Sequence, residues 1–343
     1  MMNEHGNDTA VSLLEEAAGL NASDLHLDPV EDGHRVRMRV DGRFVDRPTV
    51  TGDHSQRLIG RLKVLAGLMV YRSDIPQEGR LELGDGREGR LAVIPSIRGE
   101  KATIRLFSSA GARDSVRSLG FQTEHRRWLE RALARESGLV VAAGPSGSGK
   151  TTTLYAVIQE IIAHRGDFCQ VCTIEDPVER HIPGATQVEV DRSRNLDFSS
   201  GLKFLLRQDP EVVMVGEIRD AETARVAVRA AMTGHLVFST LHCGRAAEGG
   251  PRLLEMGVPD YAVNLGLVGV LAQRLLRKPC EACDGGGCET CYGTGFHGRC
   301  VVSEVVDRKA PEPSPSLAES AARMVADGLI PASEMERVFG GGA

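Results

Sequence analysis

Short β-like runs alternate with segments of helical periodicity through the middle of the chain. The clearest run, residues 138–143, is apolar throughout, as expected of a strand buried on both faces of a sheet. Further runs lie at residues 170–174, 212–216 and 236–240. Helices are predicted between the runs, at residues 150–164 and from Ala221 to Met232. Strands that alternate with helices in this way predict an α/β domain with a parallel, doubly wound sheet.

The first 110 residues follow a different pattern. Short β-like runs end near Val40 and Phe107, and between them residues 55–70 carry apolar side chains at three- and four-residue spacing. That spacing is typical of an amphipathic helix. The mixture predicts a smaller α+β domain ahead of the parallel sheet.

These patterns divide the chain into six predicted parts. They are an N-terminal helix or tail at residues 1–21, the α+β domain at 22–110, a linker at 111–120, the parallel-sheet domain at 121–278, a cysteine-rich knuckle at 279–300 and a short C-terminal helical segment at 301–343. Within the fourth part, a long apolar helix is predicted at about residues 261–276.

Composition narrows the class of protein. A formal net charge of −6 and a pI near 6.0 provide no electrostatic footprint for nucleic acid, so no direct nucleic-acid partner is expected. No stretch approaches the roughly 18 uninterrupted apolar residues of a transmembrane helix. The first ten residues lack the basic and apolar regions of a secretory signal. We therefore expect a cytoplasmic protein whose cysteines stay reduced.

Residues 144–151, GPSGSGKT, match the phosphate-binding pattern G-x-x-x-x-G-K-[ST]. Glycines let the backbone curl so that its N–H groups face phosphates, and the following helix adds its positive N-terminal end. Lys150 supplies a positive charge to the phosphates, and the Thr151 hydroxyl is suited to bind Mg²⁺. The predicted nucleotide-binding residues are Gly144, Ser146, Gly147, Ser148, Gly149, Lys150, Thr151 and Thr152. The expected ligands are ATP and Mg²⁺.

Acidic and histidine residues adjoin the other predicted strands. Glu175 begins an acidic segment after one run, Glu217 follows another, and His235 and His242 flank the third. Such acids are more often solvated than catalytic, and such histidines are more often structural. Because ligands bind at the carboxyl ends of parallel strands, however, we expect these side chains to share one crevice with the phosphate loop.

Four cysteines lie close together near residue 285. Cys280, Cys283, Cys288 and Cys291 form two CxxC pairs, which supply the four thiolates that a closed, structural Zn²⁺ site requires. Three others, Cys169, Cys172 and Cys243, are predicted to be small buried residues.

Four segments occur in the order and at the approximate spacing of a known family's signatures. GPSGSGKTTTLY, TIEDPVE, LLRQDPEVVMVGEIRD and MTGHLVFSTLH resemble the four boxes of the ATPases that power type II secretion and type IV pilus assembly. SDLHLDP, IPQEGR and GVLAQRLLR add to the resemblance, which covers most of residues 22–305. It implies a RecA-like P-loop ATPase domain preceded by a PAS-like α+β domain and carrying a zinc knuckle.

The resemblance also implies roles for individual residues. Glu175 matches the acid that activates the attacking water, and Glu217 matches the acid that handles Mg²⁺ through water. His235 and His242 match two histidines placed near the γ-phosphate. Arginine fingers are expected in the N-terminal domain, at Arg80, Arg90 or Arg105.

A ring-shaped homo-hexamer follows from the same resemblance, with an inner-membrane platform or docking protein as its partner. The working place would be the cytoplasmic face of the inner membrane. The family's extra N-terminal docking domain is expected to be missing or reduced to one helix, because the recognisable region begins near residue 22. Cys243 and Gly244 stand where the family usually has Thr-Asn, and the C-terminal helical region is shortened.

Two alternatives stay open from the sequence. One is a RecA-like motor of DNA uptake or conjugation, which the acidic composition disfavours. The other is a nucleotide-binding, zinc-stabilised scaffold with little turnover. The tetracysteine site favours secretion or pilus assembly, since pilus retraction ATPases generally lack it.

Overall fold

The computed structural model describes residues 9–83, 87–107, 115–166, 169–309 and 314–340. Two compact units make up the chain, Met1–Ala110 and Gly111–Ala343, and each is built around one sheet. Residues 111–114 of the predicted linker lie outside the described ranges, and Val116–Leu119 form a 3-10 turn. Within the described ranges, no helix has both the length and the apolar character needed to cross a membrane.

The first unit is an antiparallel sheet with two helices packed on one face. Its elements are α1 (Thr9–Gly19), β1 (Asp24–Val30), β2 (Gly33–Val40), β3 (Arg43–Thr51), α2 (Gly52–Leu65), β4 (Gln77–Glu82), β5 (Glu88–Ser96) and β6 (Gly99–Leu106). The strand order is β3-β2-β1-β6-β5-β4. Leu25 and Leu27 of β1 share a buried cluster with Leu58 and Leu62 of α2, because alternate residues of a strand face the same side. The predicted α+β class is confirmed.

The second unit is a seven-stranded sheet between layers of helices. Its elements are α3 (Thr123–Leu133), β7 (Gly138–Ala143), α4 (Lys150–Arg165), β8 (Val171–Glu175), β9 (Ala185–Glu189), α5 (Phe198–Leu205), β10 (Val212–Val215), α6 (Ala221–Met232), β11 (Leu236–Leu241), α7 (Gly249–Glu255), α8 (Asp260–Gly266), β12 (Leu267–Pro279), β13 (Phe296–Asp307), α9 (Leu317–Ala326) and α10 (Ala332–Phe339).

The strand order in this sheet is β13-β12-β7-β11-β10-β8-β9. Every neighbouring pair is parallel except the hairpin of β12 and β13. All six residues of β7 and all six of β11 are buried, which explains why β7 is apolar without alternation. The two polar residues of β11, Ser239 and Thr240, donate hydrogen bonds to the carbonyl oxygens of Val215 and Gly216. The predicted α/β class with a parallel sheet is confirmed, and the carboxyl ends of β7, β8, β10 and β11 lie at one edge.

The helix predicted at about residues 261–276 is wrong. Helix α8 ends at Gly266, and the apolar residues that follow belong to β12, which pairs with β7 on one side and β13 on the other. A run that is apolar on both faces has no strand periodicity, so only pairing with neighbours distinguishes it from a buried helix. The predicted C-terminal helical segment likewise begins with a strand, since β13 continues to Asp307 before α9 and α10.

Candidate active site and metal knuckle

The phosphate loop joins β7 to α4 in a backbone shape that only glycine allows. Gly144 has φ +147° and Gly149, which precedes α4, has φ +91°. A Cβ on Gly144 would lie 2.5 Å from Ser148 Oγ and 2.6 Å from the Gln273 carbonyl oxygen. The loop therefore closes tightly at its base and leads into the N-terminus of a 16-residue helix, where the helix dipole favours an anion.

Two polar groups are held inside this loop. Lys150 is buried, and its Nζ donates to the carbonyl oxygens of Gly144 at 2.8 Å and Pro145 at 2.9 Å. Burial lowers the pKa of Lys150, while the nearby carboxylate of Glu217 acts in the opposite direction. The buried Ser148 Oγ has no hydrogen-bond partner among the residues that the structure describes. A buried hydroxyl without a partner and a curled, glycine-shaped loop both fit the phosphates of a nucleotide.

The other predicted loop residues lie at the surface of the same turn. Ser146 and Gly147 are exposed, and Thr151 and Thr152 are half-exposed in the first turn of α4. The Thr151 hydroxyl is thus within the reach of solvent beside Lys150, the position that the loop pattern assigns to a Mg²⁺ ligand.

Glu217 and His242 come together at the carboxyl edge of the sheet. Glu217 lies two residues after β10 and His242 directly follows β11, so the parallel pairing of these strands brings both to one place. His242 Nε2 is 3.5 Å from Glu217 Oε2, and Arg219 Nε donates to the same oxygen at 2.6 Å. Arg219 was not predicted, and the only sequence signal for it is its position two residues after Glu217.

Glu175, the last residue of β8, is almost fully buried and accepts hydrogen bonds from three side chains. Thr173 Oγ1 donates to its Oε1 at 2.5 Å, Gln187 Nε2 donates to the same oxygen at 3.1 Å, and the Tyr155 hydroxyl donates to Oε2. Burial raises the pKa of Glu175, and the hydrogen bonds from Thr173, Tyr155 and Gln187 oppose that rise. Thr173 belongs to β8, Gln187 to β9 and Tyr155 to α4. Nothing in the local sequence indicates that these three residues orient Glu175.

His235 does not lie at the carboxyl edge of the sheet, where the sequence predicts it. It precedes β11, and its backbone carbonyl accepts a hydrogen bond from Gly138 N at the amino end of β7. Its ring Nδ1 lies 3.1 Å from the Ala230 carbonyl at the end of α6. A six-residue strand spans about 20 Å, so His235 and His242 lie at opposite edges of the sheet. The prediction that His235 shares the crevice of the phosphate loop is therefore wrong for this unit.

Gln273 of β12 is a second residue that sequence reasoning missed. Its side chain is buried, its Nε2 donates to the Ser148 carbonyl oxygen at 2.8 Å and its Oε1 accepts from Thr153 Oγ1 at 3.0 Å. Both ends of the amide thus tie the phosphate loop and α4 to the neighbouring strand. Because residues 261–276 were predicted to be helical, no contact of this kind was expected.

The three N-terminal arginines lie side by side in the first unit. Arg80 of β4 is opposite Arg90 of β5, and Arg90 is opposite Arg105 of β6. Residues opposite one another in a sheet project from the same face, so the three guanidinium groups form one row. Their acidic partners on that face are Glu88, Glu78 and Asp24, respectively.

The four predicted metal-binding cysteines converge in the turn between β12 and β13. All four Sγ atoms lie within 4.8 Å of one another, and the Cys280–Cys288 and Cys283–Cys291 distances are 3.9 and 3.8 Å. A tetrahedral zinc site with Zn–S bonds of about 2.3 Å has S–S edges of about 3.8 Å, so the geometry fits Zn²⁺. Backbone N–H groups of Gly287 and Gly295 donate to Cys283 and Cys291 sulfur.

The other cysteines are placed differently. Cys169 and Cys172 are buried, as predicted. Cys243 is only half-buried, so that prediction is wrong, because the residue has left β11 and lies at the carboxyl edge beside Lys150. Burial raises the pKa of the Cys243 thiol to about 11.

Comparison with known proteins assigns the chain to a family. The family described as type II/IV secretion system protein matches residues 8–323. The chain belongs to this family. It is 35% identical to the type II secretion system protein E of Pseudomonas aeruginosa over 374 residues, covering 95% of this chain and 74% of that protein. It is 37% identical to the type IV pilus assembly ATPase PilB of Myxococcus xanthus, covering 86% of this chain and 57% of PilB.

A further relative is the type II secretion system protein HxcR of Pseudomonas aeruginosa, which is 38% identical over 305 residues. The match covers 86% of this chain and 64% of HxcR, so the chain spans less than two thirds of that relative's length. Among solved structures, the pilus retraction motor PilT with bound ADP aligns with a TM-score of 0.70 at 24% identity, covering 95% of this chain and 96% of PilT. The ATPase DotB of Legionella pneumophila aligns with a TM-score of 0.76 at 21% identity, covering 99% and 98%. These two likenesses show the fold.

Proposed function

We propose that this chain is an ATP-hydrolysing subunit that powers type II secretion or type IV pilus assembly. The phosphate loop carries the proposal, since Lys150 is buried within it and the buried Ser148 hydroxyl lacks a partner among the described residues. A loop of this shape at a helix N-terminus fits the phosphates of ATP. Family membership and the names of the relatives supply the process that the hydrolysis would drive.

The phosphate loop, Glu217 and His242 then have parts in phosphoryl transfer. Lys150 and the loop N–H groups bind and orient the phosphates, and the Thr151 hydroxyl and Glu217 are the residues that would hold Mg²⁺. Bound there, Mg²⁺ would neutralise charge on the phosphates. Glu217 in turn is oriented by Arg219 and His242.

Glu175 is the proposed acceptor of the proton from the attacking water. Its raised pKa makes it a stronger base than an exposed carboxylate, and its three hydrogen bonds fix its orientation. The row of Arg80, Arg90 and Arg105 is the proposed source of an arginine finger, which can be worth 10³–10⁵ in rate when it reaches the transferred phosphate.

The working form in this proposal is a homo-hexamer at the cytoplasmic face of the inner membrane, bound to a platform or docking protein of the machine. ATP binding would close the two units of each subunit and hydrolysis would reopen them, a rigid-body motion that is common in switching proteins. Zn²⁺ on the four cysteines would be structural, because a site with four protein ligands leaves no position for substrate.

Steady-state ATP hydrolysis by the purified full chain with Mg²⁺ tests the proposal. We expect Lys150→Ala and Glu217→Gln each to lower kcat by at least about 100-fold, because charge stabilisation and positioning supply most of the rate in phosphoryl transfer. The matched control is Glu222→Gln, since Glu222 is an exposed acid on α6 that pairs with Lys203. Oligomer size is recorded on the same samples.

A wild-type chain that binds ATP tightly but does not turn it over would contradict the enzyme and favour a nucleotide-binding scaffold. Stimulation of hydrolysis by DNA would favour a DNA-transport motor instead. Equal rates for the wild type and Lys150→Ala would show that the measured hydrolysis does not come from this site.

A further inference from the structure

Arg274 lies beside the phosphate loop, on the strand next to the one that carries it. In the sheet, Ala272 of β12 is opposite Ala143, the last residue of β7, so Gln273 and Arg274 are level with the beginning of the loop. The Gln273 carbonyl oxygen would be 2.6 Å from a Cβ on Gly144. Arg274 Nη1 donates to this same carbonyl oxygen at 3.1 Å. The guanidinium group therefore lies close to the base of the loop.

The second hydrogen bond of Arg274 turns its guanidinium towards the crevice. Nη2 donates at 2.8 Å to the carbonyl oxygen of Gly244, two residues after His242. Arg274 thus bridges the segment that follows β11 and the middle of β12, on either side of the strand that leads into the phosphate loop. Both acceptors are neutral carbonyl oxygens.

No carboxylate forms an ion pair with Arg274 in the part of the chain that the structure describes. The two acids that influence it most are engaged elsewhere. Glu248 Oε2 accepts from the backbone N–H groups of Gly244 and Arg245, at 2.6 and 3.1 Å. Glu304 accepts from the backbone N–H groups of Ala246 and Leu317, at 2.5 and 2.9 Å. Arg274 is therefore a half-buried cation whose charge has no direct anionic partner in these residues.

A second cation lies nearby. Lys150 Nζ donates to the Gly144 carbonyl oxygen at 2.8 Å, and Gly144 lies against the Gln273 carbonyl oxygen to which Arg274 donates. Glu217, the carboxylate that acts on Lys150, is itself paired with Arg219. Burial lowers the pKa of Arg274, against the opposing influence of Glu304, Glu248 and Cys243. Two half-buried or buried cations close together are unfavourable unless an anion lies between them. Phosphate is such an anion, and arginine binds it through two parallel N–H groups.

We propose that Arg274 binds a phosphate group of the nucleotide, as a phosphate-binding residue supplied by the same unit as the phosphate loop. The inference rests on the proposed function and adds to it a residue outside the loop and outside the row of N-terminal arginines. Two of the five donors of the guanidinium hold the carbonyl oxygens of Gln273 and Gly244, which leaves three for the ligand.

The test compares binding of ATPγS with Mg²⁺ by isothermal titration calorimetry to the wild type, Arg274→Met and Arg274→Lys. Both variants lose the fork that holds the two carbonyl oxygens, but only the lysine variant keeps a positive charge. We expect Arg274→Met to weaken binding roughly 10- to 100-fold, the range for losing a charge-assisted hydrogen bond, and Arg274→Lys to recover much of that loss. Arg308→Gln is the control, because Arg308 lies at the far end of the hairpin and donates to Asn264.

Equal affinities for Arg274→Met and Arg274→Lys, both below the wild type, would overturn the inference and leave Arg274 a purely structural residue. Equal affinities for the wild type and Arg274→Met would overturn it as well, while leaving the proposed function intact. No binding by the wild type would overturn both. If Arg274→Met does not fold, Arg274→Gln takes its place, because its amide can still donate to one of the two carbonyl oxygens.

Discussion

The C-terminal helix α10 is held to the base of the metal knuckle by a buried carboxylate. Glu334 is almost fully buried, and it accepts hydrogen bonds from the backbone N–H and the guanidinium of Arg277 on β12. Arg337 adds two more, each at 2.7 Å. The Arg277 guanidinium also stacks on the ring of Phe296, the first residue of β13. We predict that Glu334→Gln strongly destabilises the second unit.

The magnitude can be worked out in two ways. Although burial alone would raise the pKa of Glu334, its hydrogen bonds to Arg337 and Arg277 outweigh burial and hold the pKa at about 2, against an ordinary value of 4.5. At 1.36 kcal/mol per pKa unit, that difference corresponds to about 3 kcal/mol of stability. Removing one partner of a buried ion pair typically destabilises by about 3–5 kcal/mol, which agrees.

The assay is thermal unfolding of the full chain, followed by circular dichroism. For a unit of this size, about 3 kcal/mol corresponds to a fall in Tm of roughly 6–12 °C at pH 7. Because the folded pKa is depressed, the contribution of Glu334 is complete above about pH 4.5 and is lost as the pH falls towards 2. The difference in stability between wild type and variant should therefore be constant from pH 5 to 7 and shrink below that range.

Glu336→Gln is the matched control, since Glu336 lies on the same helix but is exposed. We expect its Tm to stay within about 2 °C of the wild type, because surface substitutions usually change stability by no more than about 0.5 kcal/mol. A Tm for Glu334→Gln as close to the wild type as that of Glu336→Gln would refute the reasoning. It would mean that Arg277 finds another partner, or that α10 contributes little to the fold.

Two further predictions concern the site and the knuckle. Tyr155→Phe removes a hydrogen bond that lowers the pKa of Glu175, so this pKa should rise further. The acidic limb of the ATPase pH profile should then move to higher pH, and kcat should fall roughly tenfold, about 1.4 kcal/mol, because Glu175 loses one of the hydrogen bonds that orient it. An unchanged pH profile would argue against Glu175 as the base. Cys283→Ser should remove the bound zinc, about one equivalent per chain by mass spectrometry of the metal, and lower Tm; zinc content equal to the wild type would contradict the four-sulfur site.

Local sequence was sufficient for the phosphate loop and for most of the parallel sheet. GPSGSGKT encodes its own backbone shape through its glycines, and β7 and α4 on either side have the expected lengths. The sequence was equally sufficient to predict the four-sulfur metal site, because the spacing of the two cysteine pairs brings four sulfur atoms within reach of one ion. In each case the chemistry depends on residues that are near one another along the chain.

The features that could not be predicted from the sequence depend on contacts between segments that are distant along the chain. The first half of strand β12 is apolar on both faces, so its sequence predicts a helix, and only its pairing with β7 and β13 identifies it as a strand. His235 and His242 are seven positions apart, and the direction of the strand between them separates them across the sheet. Gln273 and Tyr155 matter through partners 125 and 20 positions away along the chain.

The sequence by itself determined which candidate groups this chain carries: a phosphate loop, two acids, a histidine and four thiols. Of these, only the loop and the cysteine pairs lie in motifs whose spacing indicates their chemistry. The tertiary structure alone decided which of those groups meet and what holds them. In the folded unit, Glu175 is buried and accepts hydrogen bonds from three side chains, and His235 lies at the edge of the sheet opposite the phosphate loop. Arg274 lies beside that loop. The physical reason is that burial, pKa and orientation depend on neighbours in space, and strand pairing selects those neighbours from distant parts of the chain.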